Sequence, residues 1–227
     1  MPFSKMREAI LPLLPRIVEH PFNKELSEGT LPKRIFRFYV EQDALYLSDF
    51  GRALNLISKR CITPSHTKHF RLLADQILHT EKNLHLKYLG KYHSFNLFQD
   101  RRKPEKIPAV SNYTNHILNK AQNGTLEEAI ASVMPCFWIY NHLGKKMTTL
   151  PSYHIHNPYY AWISSYSTEQ FTHAGKKLIQ IIEELESENS SYAQQNTISA
   201  FIQSTEYELL FWDSAYNKKA TQCGLFY

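Results

Sequence analysis

The chain has 227 residues, of which 26 are Lys or Arg and 21 are Asp or Glu, for a formal charge of +5. A hydrophobic fraction of 43% with 13% aromatics excludes an intrinsically disordered chain, which is poor in both. Only 7 Gly and 11 Pro leave little material for tight turns, which argues against an all-β sandwich or barrel.

Helical periodicity dominates from the N-terminus. Met6, Ile10, Leu13, Leu14 and Ile17 recur three or four apart and predict an amphipathic first helix. A turn is expected at His20-Pro21-Phe22, followed by the stretch Lys24 to Gly29. Thr30 and Pro32 mark the start of a second helix reaching about Arg60, because Pro is tolerated in a first turn. Pro64-Ser65 opens a third helix that Gly90 ends, and Tyr92 to Pro108 reads as a polar connection. A fourth runs from Ser111 to the stop signal Asn123-Gly124. Thr125 with Glu128 forms a capping box before LEEAIASVMPCFWIYNHLGKKM. A segment around Tyr159 to Tyr166 follows, and Ser167 with Gln170 is expected to cap the next helix. The last helix covers roughly Thr197 to Tyr216. The expectation is an all-α protein of about eight helices in one domain spanning residues 1–227.

The longest apolar run, Ala129 to Tyr140, falls far short of the roughly 20 residues of a membrane span. Glu8, Arg16 and Glu19 interrupt the N-terminal apolar residues, so no signal peptide is expected there. Cys61, Cys136 and Cys223 are odd in number and widely spaced, which suggests neither a disulfide framework nor a metal clip. A cytoplasmic protein is expected. Basic residues come in scattered groups, with Arg101-Arg102-Lys103 the densest, so nucleic acid is not an expected partner. Neither HExxH nor Glu-x-x-His occurs, and His66, His69, His154 and His156 read as surface or core histidines rather than metal ligands. No phosphate-binding glycine loop is present, and no cofactor is expected.

Three positions carry chemical potential. Pro135 lies inside a helical pattern, where it removes one backbone hydrogen bond and crowds Ala131 at a cost of about 3 kcal/mol. Its neighbour Cys136 shares a face with Tyr140, one turn on. Asp43 sits on an apolar, aromatic stripe with Tyr46 and Phe50, and Glu208 lies three and four residues before Phe211 and Trp212. Taken singly, Cys136 reads first as a buried structural thiol, and Asp43 and Glu208 as solvated or internally paired acids. Taken together with Tyr113 and Tyr166, they suit a pocket for a flat, polar, nitrogen-bearing ring.

Six blocks in order extend this reading: HPF at His20 with LSEGTLP, RFYVEQDALYLSDFGRAL around Asp43, YTNHIL at Tyr113, MPCFWIYNHLGKK around Cys136, NPYYAWISSYSTEQF around Tyr166, and STEYELLFWDSAY around Glu208. Over nearly its whole length the chain resembles the thiaminase II (TenA) family, and Cys136 places it with the members that carry a catalytic cysteine. The resemblance implies a heme-oxygenase-like helical bundle without heme, assembled as a homotetramer. It implies hydrolysis of thiamine, or of the aminomethyl-pyrimidine left by thiamine breakdown, to the hydroxymethyl pyrimidine. Cys136 then corresponds to the nucleophile, Glu208 to the proton donor, and Tyr46 to a hydroxyl supporting the cysteine. Asp43, Tyr113, Tyr140 and Tyr166 correspond to pocket residues that bind the substrate. The competing expectations are a non-catalytic pyrimidine binder or regulatory partner, and a heme-oxygenase-like oxidase using two metal ions.

Overall fold

The computed structural model describes residues 2–84, 105–186 and 191–221. Ten helices and no strand occur among them. They are α1 (Pro2–Ala9), α2 (Leu14–Val18), α3 (Pro21–Glu28), α4 (Lys33–Arg60), α5 (Pro64–Leu84), α6 (Pro108–Asn123), α7 (Leu126–Thr148), α8 (Tyr160–Ser167), α9 (Glu169–Glu186) and α10 (Ser191–Thr221).

The excess over eight has two sources. The first expected helix is split, because Pro12 cannot donate a backbone hydrogen bond and disfavours helical geometry at Leu11. The apolar face survives the break, with Met6, Ile10 and Ile17 fully buried. The stretch ending at Gly29 is itself a helix, α3. His20 caps it through Nδ1, which accepts from the Phe22 amide at 3.1 Å. Pro21 opens it and Gly29 closes it at φ 76°, the left-handed geometry that a helix C-terminus assigns to glycine.

Other boundaries shift by smaller amounts. Pro32 is the N-cap of α4 rather than a first-turn residue, and α6 begins at Pro108 instead of Ser111. Thr125 caps α7 by accepting from the Glu128 amide at 3.1 Å, but the Glu128 carboxylate turns to Lys120 Nζ at 2.7 Å instead of closing the box. Thr168, not Ser167, caps α9, accepting from the Phe171 amide at 3.2 Å. The last helix starts earlier than expected, at Ser191, and continues past Tyr216. Pro135 lies inside α7 without ending it, since packing on both sides supports the helix through the lost hydrogen bond. The expected stop at Gly90, the connection from Tyr92, the Arg101–Lys103 cluster and Cys223 lie outside the described residues.

α4, α7 and α10 are the long central helices. α4 packs on α5 and α6, while α7 packs on α8, α9 and α10. One continuous hydrophobic cluster runs through them, including Phe50, Ile117, Ile130, Leu178, Phe201 and Trp212. Asp43 and Tyr46 lie on α4, Cys136 and Tyr140 on α7, and Glu208 on α10.

Candidate active site

A cavity of about 330 Å³ opens in the middle of the bundle. α4 contributes Asp43 and Tyr46, α7 contributes Cys136 and Tyr140, α8 contributes Tyr166, and α10 contributes Glu208 and Phe211. Six of the seven residues singled out from the sequence therefore line one space, although the outermost, Asp43 and Glu208, lie 165 positions apart in the chain. The seventh, Tyr113 on α6, stands behind the wall. Its hydroxyl donates to Glu208 Oε1 at 2.9 Å, so it holds the acid rather than facing the cavity.

Aromatic contacts fix the walls. Tyr140 and Tyr166 pack with ring centroids 4.9 Å apart, and Phe171 meets Tyr166 edge-on at 5.1 Å. Tyr46 lies 4.8 Å from Tyr113. The Tyr140 hydroxyl reaches Glu208 on one side and shares a 2.9 Å hydrogen bond with the fully buried Tyr39 on the other. Spacing on α4 could have revealed Tyr39, because it lies one turn before Asp43 on the same face. Gln76, Gln170 and Phe171 also border the cavity. They sit on polar or mixed helix faces with no pattern in the sequence that marks them.

The electrostatics are those of a buried site with two acids and no compensating cation among the described residues. Asp43 is buried, its Oδ2 has no hydrogen-bond partner, and no Lys or Arg lines the cavity among the described residues. Burial pushes its carboxyl up to about 7. Burial, opposed by the Tyr113 hydrogen bond and assisted by the Asp43 charge, pushes Glu208 up to about 8. Cys136 is half-buried, its side chain bordering the cavity. Burial is the main reason its thiol is raised well above the ordinary range, and Glu208 and Asp43 push in the same direction. Tyr46 opposes this weakly, since its hydroxyl is close to the thiol and to Tyr113 but makes no well-aligned hydrogen bond. The resting site near pH 7 thus holds a neutral thiol and a protonated Glu208.

Such a set can donate a proton from a carboxylic acid, deliver a sulfur nucleophile beside it, and clamp a planar ring between phenols. Among the described residues no group of three or more His, Cys, Asp or Glu is placed to hold a metal ion. His66 instead pairs with Glu184 at 2.9 Å, and His154 and His156 lie with ring centroids 6.0 Å apart.

Gly144 ties the fold to this site. A Cβ there would lie 3.0 Å from both the backbone carbon and the Cβ of Tyr166. Alanine would gain up to about 1 kcal/mol of helix propensity, but forcing α8 off α7 costs about 1–3 kcal/mol. Gly144→Ala should therefore lower the melting temperature by roughly 2–4 °C, from a net loss near 1 kcal/mol. Calorimetry checks this, and an unchanged or raised midpoint refutes the tight contact.

Comparison with known proteins bears on the fold and the family. The aminopyrimidine aminohydrolase of Halalkalibacterium halodurans is 31% identical over 219 residues, covering 95% of this chain and 96% of that protein. The TenA homologue from P. horikoshii OT3 superposes with a TM-score of 0.81 at 28% identity, covering 96% of this chain and 99% of the other. A domain of unknown function with a heme-oxygenase-like fold, from Shewanella denitrificans, matches with a TM-score of 0.75 at 9% identity, over 98% of this chain and 95% of its own. The architecture is the heme-oxygenase-like helical bundle. The family model described as TENA/THI-4/PQQC matches residues 7–218, which takes in every residue lining the cavity, and the chain belongs to that family.

Proposed function

We propose that this protein is a hydrolase of thiamine metabolism that cleaves a C–N bond at the exocyclic methylene of a 4-amino-2-methylpyrimidine. Its substrate is the aminomethyl-pyrimidine, with thiamine as a second, and the products are the hydroxymethyl pyrimidine and ammonia or the thiazole. The observation that carries the proposal is the convergence of Cys136, Glu208 and Asp43 on one aromatic-walled cavity. The name borne by the H. halodurans relative supports the reaction class.

An aminopyrimidine is electron-rich and resists nucleophiles until a ring nitrogen is protonated. Glu208, protonated at neutral pH, supplies that proton. Cys136 forms an S–C bond to the adjacent ring carbon, and the thiol proton passes by way of Tyr46 and Tyr113 toward Glu208, which it re-protonates. No separated thiolate and acid need persist, which suits a site where burial penalises every charge. Electrons from the adduct expel the amine, which leaves as ammonia after taking a proton. Water adds to the resulting methylene and gives up a proton, the S–C bond breaks, and the ring regains aromaticity. Asp43, Tyr140 and Tyr166 hold the ring edge and faces.

Steady ammonia release from the purified protein with the aminomethyl-pyrimidine is the expected result. Tight binding without ammonia would favour a pyrimidine-binding regulator. Activity that tracks bound metal would favour the oxidase. The same proposal, on the family resemblance, takes the protein to be a cytoplasmic homotetramer. No helix among the described residues is long and apolar enough to cross a membrane. Size by light scattering and cell fractionation test these two points.

A further inference from the structure

A second, more open chamber of about 780 Å³ lies directly outside the catalytic cavity. The two adjoin, because Leu73, Gln76, Gln170 and Ala174 border both. Their chemistry differs sharply. The inner cavity carries Asp43 and Glu208 and no lysine or arginine among the described residues. The outer chamber is lined by Lys145 from α7 and Lys176 from α9, with His69 and His173 beside them and Glu169 as its acid.

Both lysines are exposed, and the lysine ion pairs among the described residues belong to Lys106 and Lys120 instead. Glu169 sits in the first turn of α9, where it offsets the positive end of that helix. His69 adds no charge near neutral pH. Burial, reinforced by the positive field of Lys177, His173 and His66, pushes it down to about 4. The lysine ammoniums therefore dominate the outer chamber, one step away from an inner cavity whose lining offers an anion no cationic partner among the described residues.

The proposed reaction makes this division useful. The pyrimidine is fixed inside by Asp43, Glu208 and the tyrosines, and the leaving group must point outward. Ammonia needs no chamber, whereas a larger leaving group directed toward Gln76 and Gln170, which border both spaces, meets the cationic one. We propose that the outer chamber is a leaving-group subsite for aminopyrimidines whose leaving group ends in a phosphate, which Lys145 and Lys176 bind. This rests on the hydrolase reading above and names a class of substrate for it.

The test compares kcat/KM for thiamine and thiamine monophosphate, with the aminomethyl-pyrimidine as a separate measure of the underlying reaction. Two exposed charge contacts predict a preference of about tenfold for the phosphate ester at low salt. That preference should shrink several-fold when the salt is raised to about 0.5 M, where exposed charges are screened beyond a few ångström. In the Lys145→Ala/Lys176→Ala double variant the ratio of the two thiamine forms should collapse to near one. Turnover of the aminomethyl-pyrimidine without any preference for the phosphate ester overturns the subsite and leaves the hydrolase standing. So does a preference that survives both high salt and the double variant. Turnover of none of the three compounds removes the hydrolase reading and the subsite with it. If the double variant fails to fold, the salt dependence of the wild-type ratio still decides.

Discussion

Cys136→Ser is expected to lower turnover of the aminomethyl-pyrimidine on the order of a thousandfold or more while the protein still folds and binds the pyrimidine. Sulfur and oxygen differ little in size, and the side chain borders the cavity, so the substitution opens no large void. What changes is nucleophilicity. A thiol raised by burial and by two acids is already a reluctant donor of its proton, and an alcohol in the same place is far worse. The loss corresponds to about 4 kcal/mol of transition-state stabilisation. Single-turnover kinetics with the serine variant, alongside calorimetric titration with the hydroxymethyl pyrimidine, separates chemistry from binding. Turnover within tenfold of the wild type would dismiss sulfur as the nucleophile. Lost binding together with lost turnover would instead recast Cys136 as part of the pocket wall.

Much of the fold was legible because it rests on local physics. The period of apolar residues on α4 and α7 fixes which face turns inward, and Thr125 and Gly29 mark helix ends through the hydrogen bonds they accept or the backbone angle they permit. The clustering of the candidate site was legible as well, for a related reason. Asp43 and Glu208 on aromatic faces are expensive to bury, and positions of that kind stand out against a helical pattern. The break at Pro12 and the helix α3 were missed because short helices obtain their stability from tertiary packing, which periodicity over a few residues does not reveal. The sequence puts Tyr113 on the cavity wall, by its aromatic helix face and by the family resemblance. Its actual position behind Glu208 depends on how α6 crosses α10, and a single chain position carries no record of that crossing. Gln76 and Gln170 escaped for the same reason, since polar residues at a cavity mouth look like polar residues at any surface.

Glu208→Gln should reduce turnover by about 10²–10⁴-fold and yet make the protein more stable at alkaline pH. The amide oxygen can still accept from Tyr113, so the hydrogen bond that orients the side chain is retained, but no proton is available for the ring nitrogen. The stability effect follows from the raised carboxyl. In the folded protein Glu208 titrates near 8, against about 4.5 in the unfolded chain. An acid whose folded value is raised is more readily protonated in the native state. Its neutral form leaves stability intact below about pH 4.5, and stability is then lost progressively as the pH rises toward 8. Asp43, raised to about 7, adds a loss of the same sign over a slightly lower window. A full shift of that size sets a ceiling of roughly 4–5 kcal/mol for Glu208. Water entering the cavity lowers the cost of the charge, so a gain of about 1–2 kcal/mol is expected for the glutamine variant at pH 9. That corresponds to a melting point higher by roughly 2–8 °C. At pH 4 and below the carboxyl is largely neutral in the folded and the unfolded chain alike, and the two proteins should melt within about 1 °C of each other. Melting curves of both proteins from pH 4 to 9 check this directly, and a difference that does not grow with pH would mean Glu208 is ionised at rest and cannot be the proton donor.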